Sequence, residues 1–453
     1  MKEITARISS FVADLNFDHL PRQVVEQVSL FIADYYAACL AGYRINRALN
    51  EKVLTLMTRM GGSEESTVLF SRQKLPAGNA AYMNALYAHG ADMDDGNRKA
   101  AGHVATHVMP AVFALAETLP VTWKDVVTAI VAGYEVFNRV VGAAQPGLYN
   151  KGFHSTGVGG SLACAAACGK LLGLDAEGIY NAISLSAIQA SGLIIIDESG
   201  QGCKPINPAN AARTGLFSAQ LAQLGLESSR NPLESKKGWY NAFTDHIDED
   251  ILFGGLGQTY TICESYLKLY PSCRHTHCGI DGILELRQQL LQDGFTPEDV
   301  TSVQITVYPS AIRSTGSIAY PATGDEAKFS LRYCVAAALH FGIFGLDQLD
   351  VAACRDCFRL IDRIQLHQDP VLEDRAAGIR GAKLELTVTG GRTYNQTVLI
   401  PRGEAAKPLG WTEIAEKFSG CAGSLCSLDR QSAFLTGLCQ LDVNNPFVLP
   451  NIV

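Results

Sequence analysis

The sequence predicts a mostly helical protein with an α+β second domain, and three observations carry that prediction. The first 260 or so residues read as one apolar-periodic helix after another. Strand-like alternation begins only beyond residue 268. At 453 residues the chain also exceeds the size at which one hydrophobic core stops growing, so two domains are expected.

Helix 21–41 places Val24, Val25, Val28, Leu30, Ile32 and Ala33 along an apolar face, with Pro21 suited to a first turn. Stretches 79–89, 106–117, 123–141, 160–172 and 176–191 continue the pattern. Several are rich in small residues (GGSLACAAACGKLLG), which lets helices approach closely; the Gly159-Gly160 pair carries no phosphate-loop signature. Residues 299–308 (DVTSVQITVY) alternate as a strand, and 383–388 and 394–400 flank Thr389-Gly390-Gly391-Arg392, a hairpin signal. Helices are expected between them at 327–340 and 346–362. Helices 411–418 and 429–441 are expected to return to the first domain. The division is therefore a helical domain of residues 1–266 and 403–453 and an α+β domain of residues 267–402.

Hydrophobic residues make up 47% of the chain and charged residues 18%, an ordinary globular balance. A net charge of −8 argues against a nucleic-acid partner but leaves room for an anionic substrate held by a few buried cations. No run of 18 or more apolar residues predicts a membrane span, and MKEITARISSFVADL reads as an amphipathic helix rather than a signal core. The 13 cysteines are scattered, many in apolar helical contexts such as Cys164, Cys168 and Cys334, which suits a reduced, cytoplasmic setting.

The densest polar stretch is Ala91-Asp92-Met93-Asp94-Asp95-Gly96-Asn97-Arg98, followed by His103 and His107, between two apolar helices. Burying so many charges is costly unless they pair or face a cavity. A capping loop is one reading. A metal site is another, since His103 and His107 are spaced i, i+4 and Asp94 could add an oxygen. His154, in Gly152-Phe153-His154-Ser155-Thr156, would face a cleft or bond a carbonyl, with Ser155 or Thr156 as cap. Lys204 precedes Pro205 and a helix that Asn207 could cap; it reads as a carboxylate ligand at a helix mouth or as a solvated lysine. Lys268, Tyr270, Cys273, Arg274, His275 and His277 crowd the domain boundary, where pockets form and where Arg offers a bidentate fork. Cys354 and Cys357 form a C-x-x-C without matched cysteines nearby.

In this order the dense stretches resemble the MmgE/PrpD family, which includes 2-methylcitrate dehydratases, cis-aconitate decarboxylases and an iminodisuccinate epimerase. The matching segments are ADMDDGNRKAAGHVATHVMPAVFALAE, GFHSTGVGGSLACAAACGKLLGLDAEGIYNAISLSAIQASGL, KPINPANAARTG, KLYPSCRHTHCGIDGILEL and AKFSLRYCVAAALHFG. The resemblance implies a helical domain built from both termini, a smaller α+β lid, a cleft site between them, and a homodimer that needs no metal or other cofactor. By position, Asp92 matches the family's first site Asp, His103 its acid/base His, His154 the His of the GFH motif, Lys204 the KP-motif Lys and Lys268 the Lys opening the YPSC motif. Arg274, Cys273, His275, His277 and Tyr320 are the expected substrate-binding residues. The chain departs from decarboxylase members at Gly96 (their Thr), at Cys273 (their His), and by one extra residue between Asp92 and His103. Asn207 stands where many relatives have His.

The shared chemistry is making or quenching a carbanion beside a carboxylate. His103 would move the proton with Asp92 orienting its imidazole, while Lys204, Lys268 and Arg274 stabilise the charge. His154 or Tyr320 would supply a second acid. The leading expectation is a 2-methylcitrate dehydratase-like hydro-lyase acting on a small di- or tricarboxylate. The alternatives are an epimerase of a substituted succinate, a cis-aconitate decarboxylase, a metal-dependent hydrolase using His103, His107 and Asp94, or a silent carboxylate-binding homologue.

Overall fold

The computed structural model describes residues 3–71, 73–195, 202–374 and 378–452. It is mostly helical, with a smaller α+β region. Helix Gly160–Leu171 is the hub of the helical part, packed on by Ile206–Gln223, Trp123–Val136, Ala176–Ala187 and Ala105–Ala116. Its Ala163, Cys164, Ala167 and Cys168 are fully buried, so four neighbours can close on one rod at interior packing density. The segment read as one helix at 123–141 is Trp123–Val136 continued by a π-helical stretch, Phe137–Val141.

Helix Arg22–Ile45 is long and apolar enough to cross a membrane, yet 83% of its most apolar window is buried inside the fold. It is packed on by Ala77–His89 and by the C-terminal helices Trp411–Ala422 and Leu428–Cys439. An all-round apolar helix in such a place is a core helix.

The α+β region is built on a four-stranded sheet in the order Ile364–Gln368, Val300–Val307, Ala382–Val388, Thr393–Val398. The first pair is parallel and the others are antiparallel. Gly390 and Gly391 supply the two positive φ angles of the hairpin (88° and 80°). Helix His277–Gln292 covers Ala382–Val388 and Thr393–Val398, and Leu331–Phe341 packs on that helix.

Three expectations need correction. The helix expected at 346–362 is a chain of short turns, Leu346–Leu349, Arg355–Cys357 and Phe358–Ile361. Gln348 Oε1 accepts from Gly345 N at 2.8 Å and Asp350 Oδ1 from Ala353 N at 3.1 Å, so local side chains compete with the helical ladder. Strand Ile364–Gln368 went unread because only Ile364 is buried on this polar edge. The helix expected from 327 starts at Leu331, capped by Ser330 Oγ accepting from Tyr333 N at 3.1 Å, which leaves Lys328 in the preceding turn.

Leu267 N donates to Gly403 O at 3.0 Å. Tyr266, the residue before it, forms a bridge with Gly96. The segments at 266–267 and at 403 therefore lie next to the acidic loop that follows helix Ala77–His89.

Candidate active site

The acidic loop assigns each of its three carboxylates a different task. Asp95 Oδ1 accepts from Val104 N at 3.1 Å and Ala105 N at 2.9 Å, capping helix Ala105–Ala116 from outside, while Tyr134 OH donates to Oδ2 at 2.6 Å. Burial raises this carboxyl to about 7. Asp95 is thus the capping residue that one sequence reading anticipated. Asp94 faces two imidazoles: His89 Nδ1 lies 2.8 Å and His103 Nδ1 3.4 Å from its Oδ2. Asp92 faces two ammonium groups, with Lys204 Nζ at 3.1 Å and Lys268 Nζ at 3.0 Å from Oδ1.

Asp92 sits at φ +52°, a left-handed conformation that a short polar side chain tolerates better than most. Lys268 holds it there, donating to the Asp92 carbonyl at 2.9 Å as well as to its carboxylate. Burial would raise the Asp92 carboxyl, but Lys204 and Lys268 outweigh it and keep it well below the usual carboxylate range. The lysines thereby stand as fixed positive charge beside the imidazoles.

The histidine partners set their tautomers. His103 Nδ1 lies 2.6 Å from the Asp95 carbonyl, so it carries the proton and leaves an Nε2 lone pair. Asp92 therefore does not orient this ring; Asp94 and the Asp95 carbonyl do, which corrects the sequence expectation. His89 Nδ1 donates to Asp94, leaving its buried Nε2 without a protein partner among the described residues. His154 is the opposite case. Asn207 Nδ2 donates both to Leu193 O at 3.2 Å and to His154 Nδ1 at 2.9 Å, so His154 Nε2 bears the proton. Asn207 is thus a tautomer-setting residue and not the expected helix cap, since helix Ile206–Gln223 begins one residue earlier. Ser155 and Thr156 are not caps either: Ser155 Oγ accepts from Gln145, and Thr156 Oγ1 accepts from His103 N at 3.1 Å. The ring centroids of His89 lie 4.9 Å from those of His103 and 6.1 Å from those of His154. Burial holds all three imidazoles well below their usual range, with nearby Lys204 and Lys268 adding to the shift at His89 and His103 and Lys204 at His154.

Asp92, His103, His154, Lys204 and Lys268 therefore come together. His89 and Lys328 join them and were not anticipated. Lys328 Nζ donates to Gly90 O at 3.0 Å and to Asp325 Oδ1 at 2.8 Å. A narrow cleft opens beside this cluster, lined by His89, Asp92, Lys204, Asp325, Lys328 and Phe329. His89 ends an apolar helix and Lys328 is a single lysine before a cap, so neither stood out by type.

The other expected residues are committed elsewhere. Arg274 donates to Glu404 Oε1 from Nε at 3.0 Å and Nη2 at 2.7 Å, meets His277 Nδ1 through Nη1 at 2.8 Å, and stacks on Tyr266. Glu404 also accepts from Arg98 at 2.7 Å. Arg274 and Glu404, bound to each other, support the wall. His275 bonds Tyr308 OH through Nδ1 at 2.6 Å, and burial lowers its imidazole to about 3. Cys273 donates its backbone N–H to Lys328 O at 2.9 Å, at the cleft's edge. Tyr320 is 48% exposed and bonds Asp362, apart from the cluster. Gly96 is explained by Tyr266, whose hydroxyl would stand 2.4 Å from a Cβ there, so the tyrosine occupies the space of a side chain at 96.

The metal reading through His103 and His107 fails on geometry. His103 precedes helix Ala105–Ala116, so the pair does not share a helical face, and His107 is buried against Phe137 with ring centroids 4.9 Å apart. A different set, His89, Asp92, Asp94 and His103, could bring ligand atoms within 4.8 Å of one another. Lys204 and Lys268 already occupy Asp92 Oδ1 and would face a divalent ion directly, so these donors suit ammonium groups better than a metal. Cys354 and Cys357 are buried, and among the described residues they join no group of three metal-ligating side chains.

Residues 6–251 match the MmgE/PrpD N-terminal domain, and residues 270–437 match the MmgE/PrpD C-terminal domain. The chain belongs to the MmgE/PrpD family. This MmgE/PrpD protein is 26% identical to cis-aconitate decarboxylase of Aspergillus terreus, over 94% of this chain and 91% of the relative. It is likewise 26% identical to cis-aconitate decarboxylase of Homo sapiens, over 96% and 91%. It is 22% identical to 2-methylcitrate dehydratase of Escherichia coli O157:H7, over 66% and 63%. The relatives are lyases, and the MmgE/PrpD chain described here is an enzyme.

Proposed function

We propose that this MmgE/PrpD enzyme is a cofactor-independent hydro-lyase for a citrate-like tricarboxylate, removing a proton beside a carboxylate and expelling hydroxide from the next carbon. The observation that carries this reading is the pairing of opposite tautomers. His103 offers a lone pair at Nε2 and His154 offers a proton at Nε2, and both rings lie close to that of His89. Elimination of water needs both a base and an acid, whereas loss of carbon dioxide needs only a proton donor for the resulting carbanion. Lys204 and Lys268 would stabilise the enediolate-like charge in a low-dielectric setting. A second reading, decarboxylation, is favoured by the decarboxylase relatives, which match nearly end to end.

Incubation in deuterated water with citrate, 2-methylcitrate, cis-aconitate and substituted succinates, followed by NMR, separates the outcomes. Alkene formation from a hydroxy acid is expected. Carbon dioxide release instead would establish the second reading, and exchange without net conversion would mark an epimerase.

We further propose a body of residues 1–266 and 403–453 under a lid of 267–402, a reading supported by the hydrogen bond that brings Leu267 and Gly403 together. A reduced cytoplasmic setting suits the buried cysteines, whose thiols at Cys39 and Cys164 are raised well above their usual range by burial. A homodimer is supported by exposed apolar side chains on neighbouring elements: Ile188 (68%), Leu193 (57%), Phe217 (52%) and Leu224 (84%). Light scattering is expected to give twice the chain mass for the wild type and the monomer mass for Phe217→Glu. A monomeric wild type at micromolar concentration would remove the proposal.

A further inference from the structure

The cleft carries one cation that the proposed chemistry does not use. Lys204 and Lys268 share a single oxygen of Asp92, one carboxylate for two ammonium groups, and so keep net positive charge for the reacting end of the substrate. Lys328 stands apart from that pair. It comes from the α+β region, its side chain is 5% exposed, and its ammonium reaches the carbonyl of Gly90, the residue that follows helix Ala77–His89. Its charged partner is Asp325, three residues earlier, whose side chain is 37% exposed at the cleft mouth. That carboxylate also leans on the opposite wall, because a Cβ on Gly202 would stand 2.6 Å from Asp325 Oδ2.

We propose that Lys328 is the subsite for a third substrate carboxylate, remote from the reacting carbon, and that Asp325 holds this place while the cleft is empty. The proposal rests on the polycarboxylate reading above. Its physical basis is an exchange of like for like. A buried ammonium is costly to leave unpaired, so a carboxylate must remain on it at every stage. Asp325 is half in water already and loses little by turning outward, while Gly90 O keeps one bond to the ammonium throughout. An incoming carboxylate would therefore enter without exposing a bare buried charge. A dicarboxylate, engaged by Lys204 and Lys268 alone, has no group with which to displace Asp325. Lys328 would thus be the residue that distinguishes tricarboxylates from dicarboxylates.

Titration calorimetry with propane-1,2,3-tricarboxylate and glutarate tests this, since neither carries the hydroxyl or double bond on which the enzyme would act. The wild type is expected to bind the tricarboxylate more tightly. Lys328→Met should weaken tricarboxylate binding by about tenfold or more, the loss of one charge-assisted contact, and leave glutarate within about twofold. Asp325→Asn should tighten tricarboxylate binding several-fold by removing the competing carboxylate. Equal weakening of both acids by Lys328→Met, or no tightening by Asp325→Asn, would overturn the proposal while the polycarboxylate reading stands. A wild type that binds neither acid would overturn that reading, and this subsite with it.

Discussion

Replacing His103 with Asn is expected to lower kcat/KM by about 10²–10⁴-fold while leaving the fold intact. The substitution isolates one atom. An asparagine Nδ2 can still donate to the Asp95 carbonyl, as His103 Nδ1 does at 2.6 Å, so the loop keeps its bond. What disappears is Nε2, the lone pair that makes the ring a base. His103 is kept neutral by burial, reinforced by Lys268 and Lys204 against the opposing pull of Asp94, so that lone pair is available at neutral pH. Loss of turnover with an unchanged melting temperature and circular dichroism spectrum is the expected pattern. Activity retained within tenfold of the wild type would remove His103 from the proton-transfer step.

The five groups that converge on the site were legible because the sequence sets them in short polar runs between apolar helices. Asp92 and His103 are the clearest case: charge between two buried helices has to be paired or used. Their roles were not legible. Sequence order suggested that Asp92 serves His103, but Asp92 is spoken for by two lysines from segments 112 and 176 positions away. Arg274 and His277 looked like free ligands for carboxylates until Glu404, 130 positions from Arg274, was seen to hold the guanidinium. A sequence shows which donors exist, not which are already satisfied. The fold was read more fully, because helical periodicity and the Gly390-Gly391 hairpin are local signals. It failed where local side chains broke a helix at 346–362 and where an edge strand buried only Ile364.

Long-range pairing also decides the second large effect, Lys417→Met. Lys417 comes from helix Trp411–Ala422, and its wholly buried ammonium donates to Asp34 of helix Arg22–Ile45 and, at 2.7 Å, to the carbonyl of Met93. It thus ties helix Trp411–Ala422 to the residue between Asp92 and Asp94. Burial raises the Asp34 carboxyl to about 6 even with Lys417 pulling it down, so among the described residues the carboxylate depends chiefly on that contact. Removing the ammonium is expected to cost about 3–5 kcal/mol in denaturant unfolding, the cost of stranding a buried charge. A further Asp34→Asn change should restore much of that stability, because no ion is then left unpaired. It should not restore turnover. Nothing in the double variant holds the Met93 carbonyl, and a small displacement of the turn carrying Asp92 and Asp94 is expected to lower kcat on the order of 10²-fold. A single variant less than about 1 kcal/mol below the wild type would refute the stranded-charge account. A double variant that recovers both stability and turnover would show that the tie to Met93 does not position the site.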